Sequence, residues 1–276
     1  MPELPEVETI VQELSRSGVI GKKIVHAEVF WPRSLHDEDV KSFCDKICNQ
    51  TIKEISRKGK FIVFSLSDNI LLVHLRMTGK FTIFDHAGHP VKHTRIQLIL
   101  SNGKMLCYED QRKFGKWMLV DKSENFLEHL GLEPLSEKYT LKAFENLIEN
   151  RSSQLKPFLL NQHYIAGLGN IYVDEALWEA KIHPQRPLDS LSKDEIALLY
   201  RVIPKVLKKG IANQGTTLGS SRANYFSVSG RRGTNQHQLN VFRREGQPCP
   251  RCKTLITKIR VAQRGTHICP NCQRIL

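Results

Sequence analysis

The first six residues, Met1-Pro2-Glu3-Leu4-Pro5-Glu6, contain groups that could perform covalent chemistry. Removal of Met1 by an aminopeptidase would expose the nitrogen of Pro2 as a free secondary amine. An α-amino group titrates at about pH 8, far below a lysine, so part of it is unprotonated and nucleophilic at neutral pH. Such an amine can attack a sugar aldehyde carbon and form an iminium that acts as an electron sink. Glu3 and Glu6 are close enough in sequence to exchange protons with it.

The residues that follow predict a helix that would hold the chain start against a core. Pro5 suits the first helical turn, where its missing N–H costs nothing, and Gly18 is a stop signal. Apolar residues recur at helical spacing, at Val7, Ile10, Val11 and Leu14. An ordinary capped helix, with acidic residues favoured by the helix dipole, explains the same stretch. On these residues alone both interpretations stay open.

Four cysteines near the end of the chain have the spacing of a metal site. They form a C-x2-C…C-x2-C arrangement of Cys249, Cys252, Cys269 and Cys272. Four thiolates at this spacing predict one structural Zn²⁺ with tetrahedral coordination and no open position for a reactant. A redox pair is the alternative, and nothing else in the sequence supports it. The other three, Cys44, Cys48 and Cys107, lie among apolar residues, so we predict buried thiols without a disulfide.

Two further segments predict contacts with phosphate. Apolar residues between the cysteine pairs indicate a two-stranded ribbon, and Arg264 at its turn is placed to meet a phosphate. The connection Ala166-Gly167-Leu168-Gly169-Asn170 permits a tight turn, in which Asn170 would cap the next helix and the first N–H groups would face an anion. A plain helix hairpin explains the same turn. Lys156 on the preceding helix adds positive charge nearby.

The composition favours a polyanionic partner. The 276 residues include 41 Lys and Arg against 28 Asp and Glu, a formal charge of +13 with a pI of 9.5. Nucleic acid is the commonest partner of such an excess, although charge alone does not separate DNA from RNA or from an anionic membrane surface. The sequence has no apolar run of about 18 residues and no secretion signal at its start, so we expect a cytoplasmic protein without a membrane span.

The elements that must position these residues fall into two regions. Residues 19–130 have many short strand patterns with turn signals and no βαβ rhythm, which favours an antiparallel sandwich. We expect one short helix at 37–47 and strands at 52–66, 70–75, 79–84, 95–100 and 104–108. From residue 134 the period is helical, and we expect helices at 141–149, 154–162, 171–180 and 192–209. Pro204 predicts a kink in the last of these.

The chain resembles the formamidopyrimidine-DNA glycosylases of bacterial base-excision repair over its whole length. The resemblance rests on Pro2-Glu3-Leu4-Pro5-Glu6, the Lys60 of Lys58-Gly59-Lys60-Phe61, Ala166-Gly167-Leu168-Gly169-Asn170-Ile171-Tyr172 and the four-cysteine ribbon. It implies an α+β multidomain fold with three parts. These are an N-terminal antiparallel β-sandwich with flanking helices at 1–131, a helix–two-turn–helix module with a lesion-capping loop at 132–234, and a C-terminal zinc-ribbon finger at 235–276.

The resemblance also implies a role for the residues that could do chemistry. Pro2 would attack C1′ of a damaged purine nucleotide, and Glu3 would handle proton transfer and opening of the sugar ring. Glu6 would support the site. Lys60 would contact the phosphate beside the lesion and assist the chemistry.

Further residues would hold the opened DNA. A base inside the stack cannot be reached, so its nucleotide must be everted at a cost of roughly a few kcal/mol. In this family a Met, an Arg and a Phe fill the hole, and Met77, Arg112 and Phe114 match them. An apolar wedge offsets the unstacking while an Arg can hydrogen-bond the orphaned base. The resemblance implies contacts to the DNA backbone by His74, His93, Asn170 and Arg264, and we also expect Lys156 to bind DNA through its charge.

We therefore predict a bifunctional enzyme, a DNA-formamidopyrimidine glycosylase and DNA-(apurinic or apyrimidinic site) lyase. Its partner would be double-stranded DNA containing oxidised purines or abasic sites, which it would nick by β- and δ-elimination. We expect a monomer that is associated with the bacterial nucleoid through DNA.

Two departures and two alternatives accompany this prediction. Asn161 stands where the family usually has Asp, and we expect this change to affect local hydrogen bonds only. The segment 218–225 opens a loop longer than usual, so the base preference that this loop gives the family cannot simply be carried over. One alternative is an endonuclease VIII-like glycosylase for oxidised pyrimidines, against which Leu4 and the set of Met77, Arg112 and Phe114 argue. The other is a non-catalytic zinc-ribbon DNA-binding protein.

Overall fold

The computed structural model of the chain describes residues 1–86, 88–122, 125–219 and 225–275. They form two compact units. The N-terminal unit consists of Met1–Leu127 and Asn213–Gln236, and the C-terminal unit consists of Glu128–Ala212 and His237–Leu276. Within the described residues, no helix combines the length and the apolar character that a membrane span requires.

The described part of the N-terminal unit contains two four-stranded antiparallel sheets. The first consists, in spatial order, of Ile24–Val29 (β1), Thr94–Leu100 (β6), Met105–Asp110 (β7) and Gly79–Phe84 (β5). The second consists, in spatial order, of Ile52–Lys58 (β2), Phe61–Leu66 (β3), Asn69–His74 (β4) and Lys116–Asp121 (β8). Every pairing within them is antiparallel, which confirms the predicted sheet type.

Alternation of apolar residues builds the core of this unit. Strand β3 buries every second residue, Ile62, Phe64 and Leu66, and these belong to one hydrophobic cluster with residues of both sheets. The stretch 52–66, predicted as continuous strand, is a hairpin instead. Gly59 turns the chain with φ +57°, a left-handed conformation that glycine adopts without strain. Lys60 therefore lies at a turn between β2 and β3.

Two α-helices lie in the described part of the N-terminal unit. Leu4–Arg16 (α1) follows the predicted start, and its apolar side chains Val7, Ile10 and Leu14 are fully buried in the same cluster. Val40–Ile47 (α2) begins later than the predicted 37–47, because the carboxylate of Asp39 caps it by accepting the N–H of Ser42. The chain before Asp39 is therefore outside the helix.

The C-terminal unit is mainly helical and ends in a two-stranded ribbon. Its described α-helices are Leu141–Ile148 (α3), Leu155–Leu160 (α4), Asn170–Ala180 (α5) and Lys193–Ala212 (α6), and its described strands are Thr257–Val261 (β9) and Arg264–Ile268 (β10). The predicted helices are all present within a few residues of their expected bounds. Ser192 and Glu195 form the predicted capping box at the start of α6. This helix runs through Pro204, and the kink there stays a prediction.

The segment 213–236 belongs to the N-terminal unit, although the sequence places it in the helical domain 132–234. The amide N–H of Thr216 donates to Oε1 of Glu6 over 2.7 Å. Further on, Tyr225 packs in the main core of the unit. The three-part division at residues 131 and 234 stays a prediction from the sequence.

Helix α6 packs closely on α5 at a glycine, which generates a test of the fold. A Cβ at Gly210 would lie 2.5 Å from Cε1 of Tyr172. Overpacking of this kind costs about 1–3 kcal/mol, while replacing a helical glycine with alanine gains only about 1 kcal/mol. We therefore expect Gly210→Ala to lower the melting temperature by about 2–6 °C. Lys208→Ala, at an exposed position of the same helix, serves as the control and should leave it nearly unchanged. A rise in melting temperature for Gly210→Ala would show that the ring moves aside at no cost.

Candidate functional site

The beginning of the chain is buried and firmly held. Glu3 is the N-cap of α1 and forms a capping box with Glu6, whose Oε2 accepts the N–H of Glu3 over 2.8 Å. Glu6 itself is fully buried, and its Oε1 accepts the N–H of Thr216. Both carboxylate oxygens of Glu6 therefore bind backbone, which suits a supporting role. Pro2 is buried beside them.

The electrostatic surroundings of the terminus favour a neutral amine. Burial lowers the pKa of the Met1 amine, whereas the charges of Glu3 and Glu6 act to raise it. Lys60 and Arg112 act in the same direction as burial. The N-terminal unit thus brings the predicted catalytic residues together around the terminus. An amine at Pro2 would enter the same environment once Met1 is removed.

Lys60 and His74 lie beside this site. Lys60 is 6% exposed, so the loop between β2 and β3 presents its ammonium from a nearly buried position. Burial and the charges of Arg76 and Lys60 lower the pKa of His74 to about 3, so its ring is neutral at physiological pH. The Nδ1 atom of His74 accepts the N–H of Arg76. The ring proton therefore lies on Nε2, which is available as a donor to a phosphate oxygen.

The three residues predicted to fill the DNA stack are not core residues. Met77 is 38% and Phe114 is 51% exposed, although both are large and apolar. The guanidinium of Arg112 lies 4.9 Å from the ring centroid of Phe114. An exposed aromatic ring beside a cation, together with a second exposed apolar side chain, matches the needs of a wedge with a hydrogen-bonding partner for an orphaned base. We refer to Met77, Arg112 and Phe114 as the wedge residues.

In the C-terminal unit, Asn170 does not cap α5 as predicted. Gly169 is the N-cap residue, and Asn170 is the first residue of the helix. Its Nδ2 instead donates to the carbonyl of Gly265 over 3.0 Å, which ties α5 to strand β10. The side chain of Arg264, next along the chain, is exposed at the start of β10. Its exposure leaves it accessible to a phosphate.

Lys156 is placed differently from its prediction as a contact to DNA. The side chain is fully buried, and Nζ lies 2.5 Å from Oδ1 of Asp174 and 2.8 Å from Oγ1 of Thr266. A buried ammonium paired in this way has no path to a phosphate in this conformation, so its role here is to hold β10 on α5. His93 is half-buried in the loop before β6, with φ +72°.

The four cysteines form a site that fits one structural zinc ion. The sulfurs of Cys249, Cys252, Cys269 and Cys272 all lie within 4.8 Å of one another. A tetrahedron of Zn–S bonds of about 2.3 Å separates its sulfurs by about 3.8 Å, which agrees with this cluster. All four ligands come from protein, so the ion would supply folding free energy and no chemistry.

One neighbour of the metal site was missed by the sequence reasoning. The indole Nε1 of Trp178, on α5, donates to the sulfur of Cys249 over 3.4 Å, and the guanidinium of Arg251 lies 4.1 Å from the indole ring. Hydrogen bonds of this kind orient a ligand and tune its basicity. The local sequence carries no signal for the contact, since 71 residues separate Trp178 from Cys249.

The sequence departs from the family pattern at Asn161 and in the loop that begins at residue 218. Oδ1 of Asn161 accepts the N–H of His163, a bond that an Asp would also accept, and the expectation of a purely local effect stays a prediction. The expected long loop falls partly outside the described residues, because 220–224 are not among them. Its end is anchored in the N-terminal unit, where Oγ1 of Thr217 donates to the carbonyl of Tyr225.

Comparison with known proteins gives matches along most of the chain. Three family models match in order: Formamidopyrimidine-DNA glycosylase N-terminal domain at 1–117, Formamidopyrimidine-DNA glycosylase H2TH domain at 130–222, and Zinc finger found in FPG and IleRS at 246–275. The formamidopyrimidine-DNA glycosylase of Protochlamydia amoebophila is 50% identical over 99% of this chain and 100% of its own length. That of Enterococcus faecalis is 44% identical over 100% of this chain and 98% of its own.

Solved structures of relatives are similar to this chain over nearly its whole length. Fpg of Lactococcus lactis in complex with DNA containing N7-benzyl-Fapy-dG superposes with a TM-score of 0.90 at 38% identity, covering 99% of this chain and 100% of that one. The same TM-score and coverage hold, at 37% identity, for the complex of that protein with DNA containing an abasic site. The sheets, the helical module and the four-cysteine ribbon thus correspond throughout, and the chain belongs to the formamidopyrimidine-DNA glycosylase family.

Proposed function

We propose that this protein is a bifunctional DNA glycosylase and AP lyase of base-excision repair that removes oxidised purines. The observation that carries the proposal is the buried chain start, where Pro2 is buried next to Glu3 and burial lowers the pKa of the terminal amine, here that of Met1, on which the charges of Glu3, Glu6 and Lys60 act. A nucleophilic amine beside a carboxylate and an ammonium is the arrangement that imine chemistry on a phosphorylated sugar requires. Relatives named formamidopyrimidine-DNA glycosylase, and the Fapy-dG and abasic DNA bound by the Lactococcus protein, support the substrate class.

The first step is eversion of the damaged nucleotide. The wedge residues would enter the stack, and Arg112 would hydrogen-bond the orphaned base. His74 would donate Nε2–H to a backbone phosphate, and Lys60 would neutralise the phosphate beside the lesion. In the C-terminal unit, Arg264 would contact phosphate directly from the ribbon.

The covalent steps follow from the position of Pro2. Its nitrogen attacks C1′ and the C1′–N bond to the base breaks, with the electron pair leaving on the base. The base takes up a proton from water. The carboxylate of Glu3 accepts the proton that the Pro2 nitrogen loses after its attack and delivers it to the ring oxygen as the sugar opens, which yields an iminium at C1′. Loss of a C2′ proton then expels the 3′ phosphate, and a second elimination expels the 5′ phosphate. Hydrolysis of the imine returns free Pro2.

The zinc ion would act on structure alone. When bound, it crosslinks the two knuckles of the ribbon and so fixes β9 and β10, which carry Arg264. The substrate would place the protein on the nucleoid in the bacterial cytoplasm.

The role of Pro2 can be tested by borohydride trapping on a duplex with an abasic site. We expect a form with a cleavable extension before Pro2 to give no covalent adduct, and the same sample to trap DNA after cleavage. Pro2→Gly keeps an amine and should retain part of the signal. Equal trapping by the extended and cleaved forms would contradict the assignment of Pro2 and make Lys60 the candidate nucleophile. No trapping by either form would favour a non-catalytic DNA-binding protein.

The metal assignment predicts a local loss of structure. Cys272→Ser should release zinc and unfold the ribbon, because the ion supplies part of its folding free energy. Affinity for DNA should fall while the β-sheet signal in circular dichroism stays. Cys48→Ser, a half-buried cysteine of the N-terminal unit, is the matched control. Active protein with well under one equivalent of zinc would count against the assignment.

Contacts to phosphate and insertion into the stack should separate by mutation. Arg264→Ala should weaken binding to damaged and undamaged duplex alike and reduce the slope of log affinity against log salt by about 0.9. Arg260→Ala, exposed on the neighbouring strand, is its control.

Phe114→Ala should leave binding to undamaged duplex unchanged and slow excision of 8-oxoguanine more than incision at a preformed abasic site, where less stacking is overcome. Equal losses on both substrates would exclude the wedge role of Phe114.

A further inference from the structure

Three loops of the N-terminal unit carry the wedge residues and one predicted phosphate contact. Each contains a residue other than glycine with positive φ: Arg76 at +51°, His93 at +72° and Lys113 at +61°. Such conformations are uncommon for residues with a Cβ and persist where surrounding contacts enforce them. Something must therefore hold these loops in place.

The carboxylate of Asp110, at the end of β7, supplies those contacts. It is 1% exposed. Oδ1 accepts the hydroxyl of Thr78 over 2.5 Å and the N–H of Arg112 over 3.1 Å. Oδ2 accepts the N–H groups of Phe114 and Gly115, each over 2.8 Å. One side chain thus binds the residue after Met77 and the backbone of both other wedge residues.

The main chain of Asp110 joins the third loop. Its N–H donates to the carbonyl of His93 over 3.0 Å. Its own carbonyl accepts Nε of Arg95 over 2.8 Å. The loop before β6 is therefore fastened to the same residue as the two loops that carry the wedge.

Two glycines let the loops approach this point. A Cβ at Gly115 would lie 1.6 Å from the hydroxyl oxygen of Tyr108, and one at Gly79 would lie 2.4 Å from it. Neither position has room for a side chain. The loop that carries Met77 and the loop that carries Arg112 and Phe114 therefore both pack against the buried side chain of Tyr108. Both loops also donate hydrogen bonds to the Asp110 carboxylate.

We propose that Asp110 is a positioning residue for base eversion, which fixes Met77 relative to Arg112 and Phe114 so that they enter the DNA stack as one rigid wedge. This inference rests on the proposed function and deepens it. Asp110 acts through the wedge residues and does not touch the reacting atoms. Preorganised loops lose less conformational freedom when DNA opens, so the benefit appears in the eversion step.

The chemistry of four donors explains why a carboxylate is needed. Each oxygen of Asp110 accepts two hydrogen bonds, and an amide of the same shape offers only one accepting oxygen. Asp110→Asn therefore places an NH2 donor where one carboxylate oxygen was. It either leaves the N–H groups of Phe114 and Gly115 without this acceptor, or leaves Arg112 with the Thr78 hydroxyl alone, to which its N–H also donates over 3.1 Å. The substitution loosens one wedge loop while it preserves the volume of the buried side chain.

The test compares two substrates under single-turnover conditions. For Asp110→Asn we expect excision of 8-oxoguanine opposite cytosine to fall by about tenfold or more, while incision at a preformed abasic site changes by less than about threefold. Thr78→Val keeps the carboxylate and removes one donor, so it should give a smaller loss with the same preference and serves if Asp110→Asn folds poorly. Losses of equal size on the two substrates for both variants would overturn the proposal.

Two controls separate positioning from general destabilisation. Asp39→Asn removes a carboxylate that also accepts a backbone N–H in this unit, at the start of α2, and should affect neither substrate selectively. Combining Asp110→Asn with Phe114→Ala should cost less than the sum of the two single losses, because both act on the same wedge. If the losses of excision rate in the two single variants add fully in the double variant, the positioning role of Asp110 is overturned. A selective loss for Phe114→Ala would still leave the proposed function standing. Absence of excision by the unmodified protein would instead refute the function.

Discussion

The buried carboxylate of Glu6 is the interaction on which the N-terminal unit depends. An ionised carboxylate without partners is costly inside a protein, and here each oxygen accepts a backbone N–H, from Glu3 and from Thr216. The first bond fixes the start of α1 and therefore the direction in which the terminus points. The second fastens the segment 213–236 to the same point. A single side chain thus determines where the nucleophile of the proposed reaction lies.

A second buried charge plays the corresponding part in the C-terminal unit. Lys156 on α4 binds Asp174 on α5 and Thr266 on β10, and the other oxygen of Asp174 accepts the N–H of His267. Removing one partner of such a pair leaves an uncompensated charge, which is strongly destabilising. The strand that begins with Arg264 is therefore held at consecutive residues. An exposed arginine gains a defined position from a pair that no solvent reaches.

The sequence predicted what depends on spacing and failed where the chain must fold before residues meet. Helix α1 and the cysteine cluster follow from local patterns, since 3.6-residue periodicity and C-x2-C pairs are visible in a few residues. The burial of Lys156 was not visible, because its partner Thr266 is 110 residues away. Asn170 was predicted to cap α5 because the acceptor of its side chain, the carbonyl of Gly265, lies 95 residues further along the chain. Asp110 precedes Arg112 and Phe114, which were predicted to contact DNA, but only the folded loops show that its carboxylate accepts four hydrogen bonds.

The bond between Glu6 and Thr216 also constrains how the protein is made. The two residues are 210 positions apart, and the N-terminal unit is completed only by the segment 213–236. At about 5–20 residues per second, a ribosome needs roughly 10–40 s to synthesise the chain between them. During that time the helices α3 to α6 emerge while Glu6 still lacks the N–H of Thr216. The residues of the proposed covalent chemistry are therefore among the first to be synthesised, but their surroundings are complete only after the segment 213–236 has been synthesised.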